Sequence, residues 1–185
     1  SFGEYFLKPF QKRFIEEVSK KHEHYLFFTE GVPHAHRASW AAEDRVRPDG
    51  KALGVVEAFH WYDGFTLLLK SWNPWLAADS DTSAISFGPG AARRSAIRQV
   101  KRYAERSRSE GIPPFLGEFG VPMDLRGGAS FRSGNYRAQE DALGAFYDAV
   151  DEALVGSTIW NYSASNTHES GDRWNGEDLS IFSAT

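Results

Sequence analysis

The sequence predicts an α/β fold in which about four parallel strands alternate with outer helices, as in half of an eight-stranded α/β barrel. Short apolar runs bounded by Gly and Pro alternate with longer stretches of helical periodicity. Polar and aromatic side chains follow the ends of several of these runs, as they do at the mouth of a barrel. The chain has 185 residues. That length suits one domain but is short of the roughly 250 residues of a complete barrel.

Composition is that of an ordinary globular protein, and it excludes several functions. Hydrophobic residues make up 41% and charged residues 25%, so most of the chain is expected to be ordered. A net charge of −4 without a long basic run argues against nucleic acid as a partner. The absence of cysteine excludes disulfides, thiolate metal sites and cysteine nucleophiles. Aromatic residues, at 15%, suit either a core or a surface that binds sugars or lipids.

Seven stretches have the periodicity of regular secondary structure. The predicted strands are residues 25–29, 54–62, 113–121 and 157–162, and the predicted helices are residues 4–21, 91–110 and 136–155. The side chains expected to face inward from the first helix are Leu7, Phe10, Phe14 and Val18. The stretches expected to be loops are 31–53, 65–90 and 122–135, with a polar tail at 163–185. This alternation predicts a parallel sheet in a single domain, residues 1–185.

One predicted strand ends in an acid. Residues 113–121 place Glu118 near the C-terminal end of an apolar run, between Gly117 and Phe119. Burying a carboxylate there costs free energy unless the group is paired or takes part in chemistry. Catalytic groups of parallel barrels lie at that end of the strands. Two interpretations follow: a catalytic carboxylate, or a structural ion pair with a nearby arginine.

The other strand ends predict the neighbours of Glu118. The second strand ends in His60, Tyr62 and Asp63, and the fourth strand carries Trp160. Residues two apart on a strand share a face, so His60 and Tyr62 are expected to point the same way. Because the ends of parallel strands converge, all these side chains are expected around one cavity. A carboxylate there can attack an anomeric carbon, and an indole can pack on a sugar ring.

Three motifs occur in an order that matches a known family. They are His60-Trp61-Tyr62, Gly117-Glu118-Phe119-Gly120 and Ile159-Trp160. Together they resemble the last three strands of glycoside hydrolase family 5, and the tail at 171–180 is similar to the endoglycoceramidase and steryl-glucosidase branch. The resemblance covers most of the chain. It implies the C-terminal half of a (β/α)8 TIM barrel, strands five to eight, and a retaining glycosidase.

The resemblance also assigns roles to individual residues. It implies that Glu118 is the nucleophile and that His60 and Tyr62 are its partners in the active site. It implies that Trp160 forms the floor under the sugar at the cleaved bond. The tail residues that it places near the sugar-binding mouth are Trp174, Asn175 and Glu177. No metal or organic cofactor is expected.

The chain departs from the family pattern in one respect that concerns catalysis. The family carries its general acid/base in an Asn-Glu pair on the fourth strand, and no Asn-Glu pair occurs here. The opening helix resembles the helix that follows that strand. The N-terminal half of the barrel, with the general acid/base, is therefore expected to lie outside this chain.

Three other acids are candidates for that role, and each is expected to be structural or solvated instead. Glu30 ends the first strand. Asp63 directly follows Tyr62 and is also a candidate to bind a sugar hydroxyl. Glu57 has the strand parity opposite to that of His60, so it is expected to face a helix.

Two further groups of residues can be interpreted either as functional or as merely structural or solvated. The pairs His22-x-His24 and His34-x-His36 have metal-ligand spacing, but no third ligand completes either pair, so solvated loops are favoured. Trp72 and Trp75 lie in the long connection 65–90. They can line a groove for a lipid or pack the connection onto the core, and the sequence does not distinguish these.

Two functions of different classes follow. The first is a retaining glycosidase that cleaves a β-glucosidic bond, in a glycolipid as the branch suggests, with this segment inactive alone and partnered by the N-terminal half of the barrel. The second is a non-catalytic half-barrel that binds carbohydrate or assembles with a second copy. An isolated half exposes its inner sheet and two open edges, which favours such pairing.

Overall fold

The main sheet consists of four parallel strands, which are in spatial order Leu26–Thr29, Gly54–His60, Pro114–Phe119 and Gly156–Ile159, and helices pack against it. The computed structural model describes residues 1–32, 37–173 and 176–184. The strands are β1 (Leu26–Thr29), β2 (Gly54–His60), β3 (Leu76–Ala78), β4 (Ile85–Phe87), β5 (Pro114–Phe119) and β6 (Gly156–Ile159). The helices are α1 (Lys8–Ser19), α2 (Gly64–Leu69), α3 (Ala91–Ser109), α4 (Leu125–Ser133) and α5 (Arg137–Ala153). A π-helical turn at Gly3–Leu7 precedes α1, and a 3₁₀ turn lies at Ala42–Arg45.

The register of the sheet brings the C-terminal ends of its strands together. His60 on β2 pairs with Glu118 on β5, after a register shift between Phe59 and His60. β5 in turn pairs with β6, and Phe119 lies opposite Ile159. The parallel sheet with its alternating helices confirms the predicted fold class. It also confirms that the motif residues converge at one edge.

The core lies between the sheet and the pair α3 and α5. Trp61 is almost fully buried there, with its ring 4.9 Å from that of Phe146 in an edge-to-face arrangement. The Trp61 indole donates a hydrogen bond to Gln99 Oε1 on α3, at 3.2 Å. Because alternate residues of a strand point to opposite faces, this anchorage directs His60 and Tyr62 away from the helices. Glu57 does face α3, as its parity predicts, and accepts a hydrogen bond from Ser107 Oγ at 2.7 Å.

The inward face predicted for the first helix is wrong for Phe10 and Phe14, whereas Val18 packs against a buried cluster as predicted. Ile15 and Ser19 are buried, whereas Phe10 and Phe14 are 61% and 57% exposed. The helix is apolar on two faces, so its periodicity fits either one. Only the packing of Ile15 against the cluster around Trp40 selects the face that is covered here.

Two connections expected to be loops contain regular structure. The stretch 65–90 holds most of α2 and the antiparallel hairpin β3–β4. The stretch 122–135 holds α4, whose first turn is interrupted by left-handed Arg126, Gly127 and Gly128. Glycine adopts positive φ angles readily at two of these positions, and Arg126 adopts one as well.

Candidate active site

A cavity of about 310 Å³ opens at the C-terminal ends of the parallel strands. The residues that line it are Glu30, His60, Tyr62, Leu67, Glu118, Trp160, Glu177 and Leu179. Five of these were predicted as site residues, and three were not. The structure therefore brings together side chains from the ends of β1, β2, β5 and β6, as well as from α2 and the C-terminal tail.

Glu118 is the centre of a short hydrogen-bonded group. Tyr62 Oη donates a hydrogen bond to Glu118 Oε2 at 3.1 Å, and His60 Nδ1 lies 3.2 Å from the same oxygen. The Glu118 side chain is 26% exposed, so it is accessible from the cavity. Both contacts involve Oε2, and among the described residues none donates a hydrogen bond to Oε1. The two oxygens of this carboxylate thus differ: neighbouring side chains hold Oε2, whereas Oε1 has no hydrogen-bond donor among the described residues.

The local backbone explains this arrangement. A Cβ added at Gly117 would lie 3.2 Å from the imidazole of His60, so glycine lets the imidazole pack directly on β5. A Cβ at Gly120 would lie 2.2 Å from the carbonyl oxygen of Trp160, which no side chain can tolerate. The two glycines that flank Glu118 and Phe119 in the motif therefore permit close approach of β2 and of the segment after β6.

Tyr62 is held as a hydrogen-bond donor. Burial, followed by the nearby negative charge of Glu118, raises the pKa of the Tyr62 phenol far above its ordinary value. The phenol is therefore protonated across the physiological range. It can donate to a carboxylate continuously, including one whose charge changes during a reaction.

Glu30 is a site residue that sequence reasoning undervalued. Its Oε1 lies 3.2 Å from His60 Nδ1, so the imidazole stands between Glu30 and Glu118. The Glu30 side chain is 49% exposed toward the cavity. The position of an acid after a strand was a usable signal, because β1 ends at the same edge as β2 and β5.

Glu177 reaches the cavity from the C-terminal tail. Burial, then the negative charge of Asp172, raises the pKa of the Glu177 carboxyl above its usual range, while Lys70 opposes the shift. The tail is fixed beside the end of β6: Asn161 N donates to Leu179 O at 3.1 Å, and Ile181 N donates to Asn161 O at 3.0 Å. The Trp160–Asn161 peptide bond, at the end of β6, is cis.

Asp63 has a structural position rather than one in the cavity. It is 6% exposed and is the N-cap of α2, where its Oδ2 accepts hydrogen bonds from Thr66 N and Thr66 Oγ1 at 2.9 and 2.6 Å. A role in binding a sugar hydroxyl therefore has no support from its position. The sequence did contain the signal: an Asp that immediately precedes an apolar helical turn is a common N-cap.

Removal of this cap is expected to destabilise the protein without changing the cavity. We expect Asp63→Ala to lower the free energy of unfolding by about 1–2 kcal/mol, because the Thr66 amide loses its acceptor. Asp63→Asn keeps a capping oxygen and is the matched control, expected within about 0.5 kcal/mol of the wild type. Urea denaturation measures both. Equal losses in the two variants would contradict a capping role.

Several predicted residues lie outside the described part of the chain. Trp174, Asn175, His34 and His36 are in this group, so their assignments stay predictions.

His22 stacks on Tyr25 with ring centroids 4.5 Å apart. In the ranges 1–32, 37–173 and 176–184, no group of His, Cys, Asp and Glu side chains is placed to hold a metal ion. Within these ranges, no helix has both the length and the apolar character needed to cross a bilayer.

Trp72 and Trp75, left open by the sequence, differ in their surroundings. Trp72 is 6% exposed, and its ring lies 5.9 Å from that of Phe146 on α5. It therefore packs the long connection onto the core. Trp75, at the base of the β3–β4 hairpin, is 59% exposed.

Comparison with known proteins gives a consistent result. No family model matches the chain. A protein of Aspergillus fumigatus named glucosylceramidase is 37% identical over 142 residues, which is 70% of this chain and 19% of that protein. A glucosylceramidase of Cryptococcus neoformans is 30% identical over 96% of this chain and 24% of that protein. An ergosteryl-beta-glucosidase of Saccharomyces cerevisiae is 30% identical over 70% of this chain and 19% of that protein.

Solved structures confirm the barrel architecture. Sterylglucosidase 1 of Cryptococcus neoformans superposes with a TM-score of 0.85 and 25% identity, over 99% of this chain and 27% of that one. The Pseudomonas stutzeri endoglucanase Cel5A matches with a TM-score of 0.53 and 16% identity, which concerns the fold alone. The chain thus spans about a fifth to a quarter of the length of the curated relatives that it matches.

Proposed function

We propose that this chain, which is similar to fungal proteins named glucosylceramidase and ergosteryl-beta-glucosidase, supplies the nucleophile half of a retaining β-glucosidase of the glycoside hydrolase family 5 type. The observation on which this rests is the contact of Glu118 with Tyr62 and His60 inside the cavity. Retaining glycosidases need a carboxylate that forms a covalent glycosyl-enzyme. Glu118 has the position and the accessibility for that task.

In the proposed reaction, Glu118 Oε1 attacks the anomeric carbon of a β-glucoside. The bond from that carbon to the aglycone oxygen breaks, and the oxygen takes a proton from the general acid. The hydrogen bond from Tyr62 and the contact from His60 hold Oε2, which fixes the plane of the carboxylate and directs Oε1 toward the sugar. Trp160 lines the same cavity and offers an indole face for the sugar ring.

The general acid/base is proposed to come from polypeptide outside this chain. In the second step it removes a proton from water, which attacks the glycosyl-enzyme and releases Glu118. The cavity does contain two further carboxyl groups in the described residues, Glu30 and Glu177. We assign them to sugar hydroxyls, because a buried or half-buried carboxyl at the rim of a sugar site is a strong hydrogen-bond acceptor.

The proposed substrate class is a β-glucosylated lipid. The support is the names of the curated relatives, which are glucosylceramidase and ergosteryl-beta-glucosidase. In both substrates the leaving group is a large apolar alcohol, so the sugar enters the polar cavity while the lipid lies at its mouth.

A covalent trap tests this proposal directly. The protein expressed from its complete coding sequence is incubated with an activated 2-deoxy-2-fluoro-β-glucoside, which forms the glycosyl-enzyme quickly and hydrolyses slowly. We expect peptide mass spectrometry to find one label, on Glu118. A label on Glu30 or Glu177 would overturn the assignment of the nucleophile. The absence of any label, together with no hydrolysis of glucosylceramide or steryl glucoside, would overturn the function.

Glu177→Gln is expected to weaken sugar binding without abolishing chemistry. Loss of one charged hydrogen bond to a sugar hydroxyl predicts a roughly 10- to 100-fold lower kcat/KM. The loss should be similar for a glycolipid and for an aryl glucoside with a good leaving group. If instead the glycolipid reaction fell far more than the aryl reaction, and azide accelerated the slowed aryl reaction, Glu177 would be the general acid/base.

An open apolar edge favours a second candidate function, self-association of a non-catalytic half-barrel. Strand β1 is an edge strand, and its Leu26 and Phe28 are 63% and 54% exposed beside Phe10 and Phe14 of α1. Under the first proposal, the remaining half of the barrel covers this edge. Under the second, another copy covers it. A dimer of the 185-residue chain that binds glucosides but never hydrolyses them would favour the second candidate.

A further inference from the structure

Four large apolar side chains are exposed on helix α2 and on the hairpin that packs against it, and together they are here called the rim patch. They are Leu68 and Leu69 of α2 with Trp75 and Phe87 of the hairpin, and they are 80%, 67%, 59% and 74% exposed. Exposed apolar side chains are normal one at a time, but several together mark an interaction surface. None of these four is a residue of the cavity or of the core.

The rim patch is continuous with the cavity. Helix α2 follows directly on the end of β2, and its three consecutive leucines divide between two surroundings: Leu67 lines the cavity, whereas the next two face solvent. Helix α2 also packs against β3, and in the hairpin Leu76 of β3 lies opposite Phe87 of β4. Trp75 O accepts a hydrogen bond from Gly88 N at 3.0 Å, which joins the base of the hairpin. The rim patch therefore lies on the same side of the mouth as Leu67, on a helix and a hairpin that pack against each other.

The charges near the rim patch are basic. Arg94 and Arg98, on the first turns of α3, donate hydrogen bonds to uncharged oxygens, the carbonyl of Pro89 and the hydroxyl of Ser86. The carboxylates at the tip of the hairpin are engaged elsewhere, since Arg102 forms ion pairs with Asp79 and Asp81 at 2.7 and 2.8 Å. An apolar surface bordered by arginines complements the boundary between acyl chains and anionic headgroups.

We propose that the rim patch docks the protein on the surface of an anionic lipid bilayer, with the mouth of the cavity turned toward the headgroups. The leucines and the two aromatic rings enter the interface, and Arg94 and Arg98 meet lipid phosphates. This inference rests on the proposed function in one respect. In a glycolipid embedded in a bilayer, only the sugar projects into the water, so the sugar site must approach the bilayer surface. A bilayer accounts for both the apolar and the basic part of this surface.

Vesicle flotation tests the proposal. The protein expressed from its complete coding sequence is mixed with vesicles of phosphatidylcholine containing phosphatidylserine, and with vesicles of phosphatidylcholine alone. We expect the wild type to float with the first and less with the second. We expect the double variant Leu68→Ser and Leu69→Ser to reduce the bound fraction by roughly tenfold or more, because two large apolar side chains no longer enter the interface. Arg94→Gln with Arg98→Gln should remove the preference for phosphatidylserine.

Leu154→Asn is the matched control. Leu154 is 84% exposed and lies at the C-terminus of α5, where the chain enters β6, so it is at the opposite end of the strands from the mouth. Its left-handed φ of 52° is one that Asn tolerates well. This variant should float like the wild type. Wild-type protein that stays free of both vesicles, or a leucine double variant that binds like the wild type, would overturn the proposal.

Two additional measurements separate this inference from the proposed function. Flotation requires no catalysis, so docking is measured even if no glucoside is hydrolysed. Conversely, hydrolysis of a soluble aryl β-glucoside should be unchanged in the leucine double variant, while turnover of glycolipid in vesicles falls in proportion to binding. If that variant is poorly folded, quenching of tryptophan fluorescence by brominated lipids in wild type and Trp75→Phe replaces it. Equal quenching in these two proteins would contradict insertion of the rim patch.

Discussion

Glu118→Gln is expected to lower kcat/KM for β-glucoside hydrolysis by at least roughly 10⁴-fold, because an amide cannot form the glycosyl-enzyme. Glutamine keeps the shape of the side chain and can still accept the hydrogen bond from Tyr62. The fold and the binding of sugar should therefore survive. Steady-state kinetics with an aryl glucoside and with a glycolipid measure the loss, and thermal unfolding checks that the protein remains folded.

The side of attack provides a sharper test of the same prediction. In Glu118→Ala, azide can enter the space left by the carboxylate and attack the anomeric carbon from the same side. We expect formation of an α-glucosyl azide, identified by NMR. Glu140→Gln, an exposed carboxylate of α5, is the matched control and should have wild-type activity. Formation of a β-glucosyl azide would mean that Glu118 acts as the acid/base and not as the nucleophile.

Arg37→Ala is expected to lower the free energy of unfolding by about 3–5 kcal/mol, because it leaves buried carboxylates without their shared cation. Arg37 Nε donates to Glu57 Oε1 at 2.7 Å, and an amino group of the same guanidinium donates to Glu110 Oε2 at 3.0 Å. The side chains of Arg37 and Glu57 are 17% and 9% exposed. Without the guanidinium, both carboxylates lose their closest cation, and Glu57 keeps only the more distant Arg106, at 3.6 Å. Urea denaturation at neutral pH measures the loss.

A double variant and the pH dependence test whether the destabilisation by Arg37→Ala is electrostatic. Replacing both Arg37 and Glu57 by Met and Gln should restore part of the stability, because the more buried of the two carboxylates is then removed together with its cation. Burial raises the pKa of the Glu110 carboxyl, but the bonds from Arg37 and Trp40 N outweigh it and hold that pKa below its usual range. Such a group stabilises the wild type fully above the pKa of the unfolded state, and this contribution is lost as the pH falls through the lower pKa of the folded state. The difference between wild type and Arg37→Ala should therefore shrink as the pH falls below about 4. A difference independent of pH would point to lost packing instead.

Residues whose position follows from strand periodicity were predictable. Parity alone placed His60 and Tyr62 on one face and Glu57 on the other, and the structure has them so. The site at the strand ends was predictable for the same reason, since parallel strands that alternate with helices must present their C-terminal ends at one edge. The roles of the individual side chains at that edge stay proposals until the experiments above are made.

Residues whose position depends on contacts distant in the chain were not predictable. Phe10 and Phe14 have the same periodicity as a buried face, yet only the packing of Ile15 decides which side of α1 is covered. The place of Glu30 after a strand was a signal for the site, but its contact with His60 depends on how β1 pairs with β2. Leu67, Leu68 and Leu69 are three leucines in a row, so the sequence does not distinguish them. The orientation of α2 places the first at the cavity and the other two in the rim patch.

The sequence by itself determined the alternation of strands and helices, the resemblance to one enzyme branch and the acid on which the proposed chemistry depends. These are local or periodic properties, and they follow directly from the order of residue types along the chain. Tertiary structure alone decided which oxygen of Glu118 is held, which carboxyl groups share the cavity and which apolar side chains remain at its rim. These depend on register shifts and side-chain packing over distances of a few ångströms, which no pattern of residue types encodes.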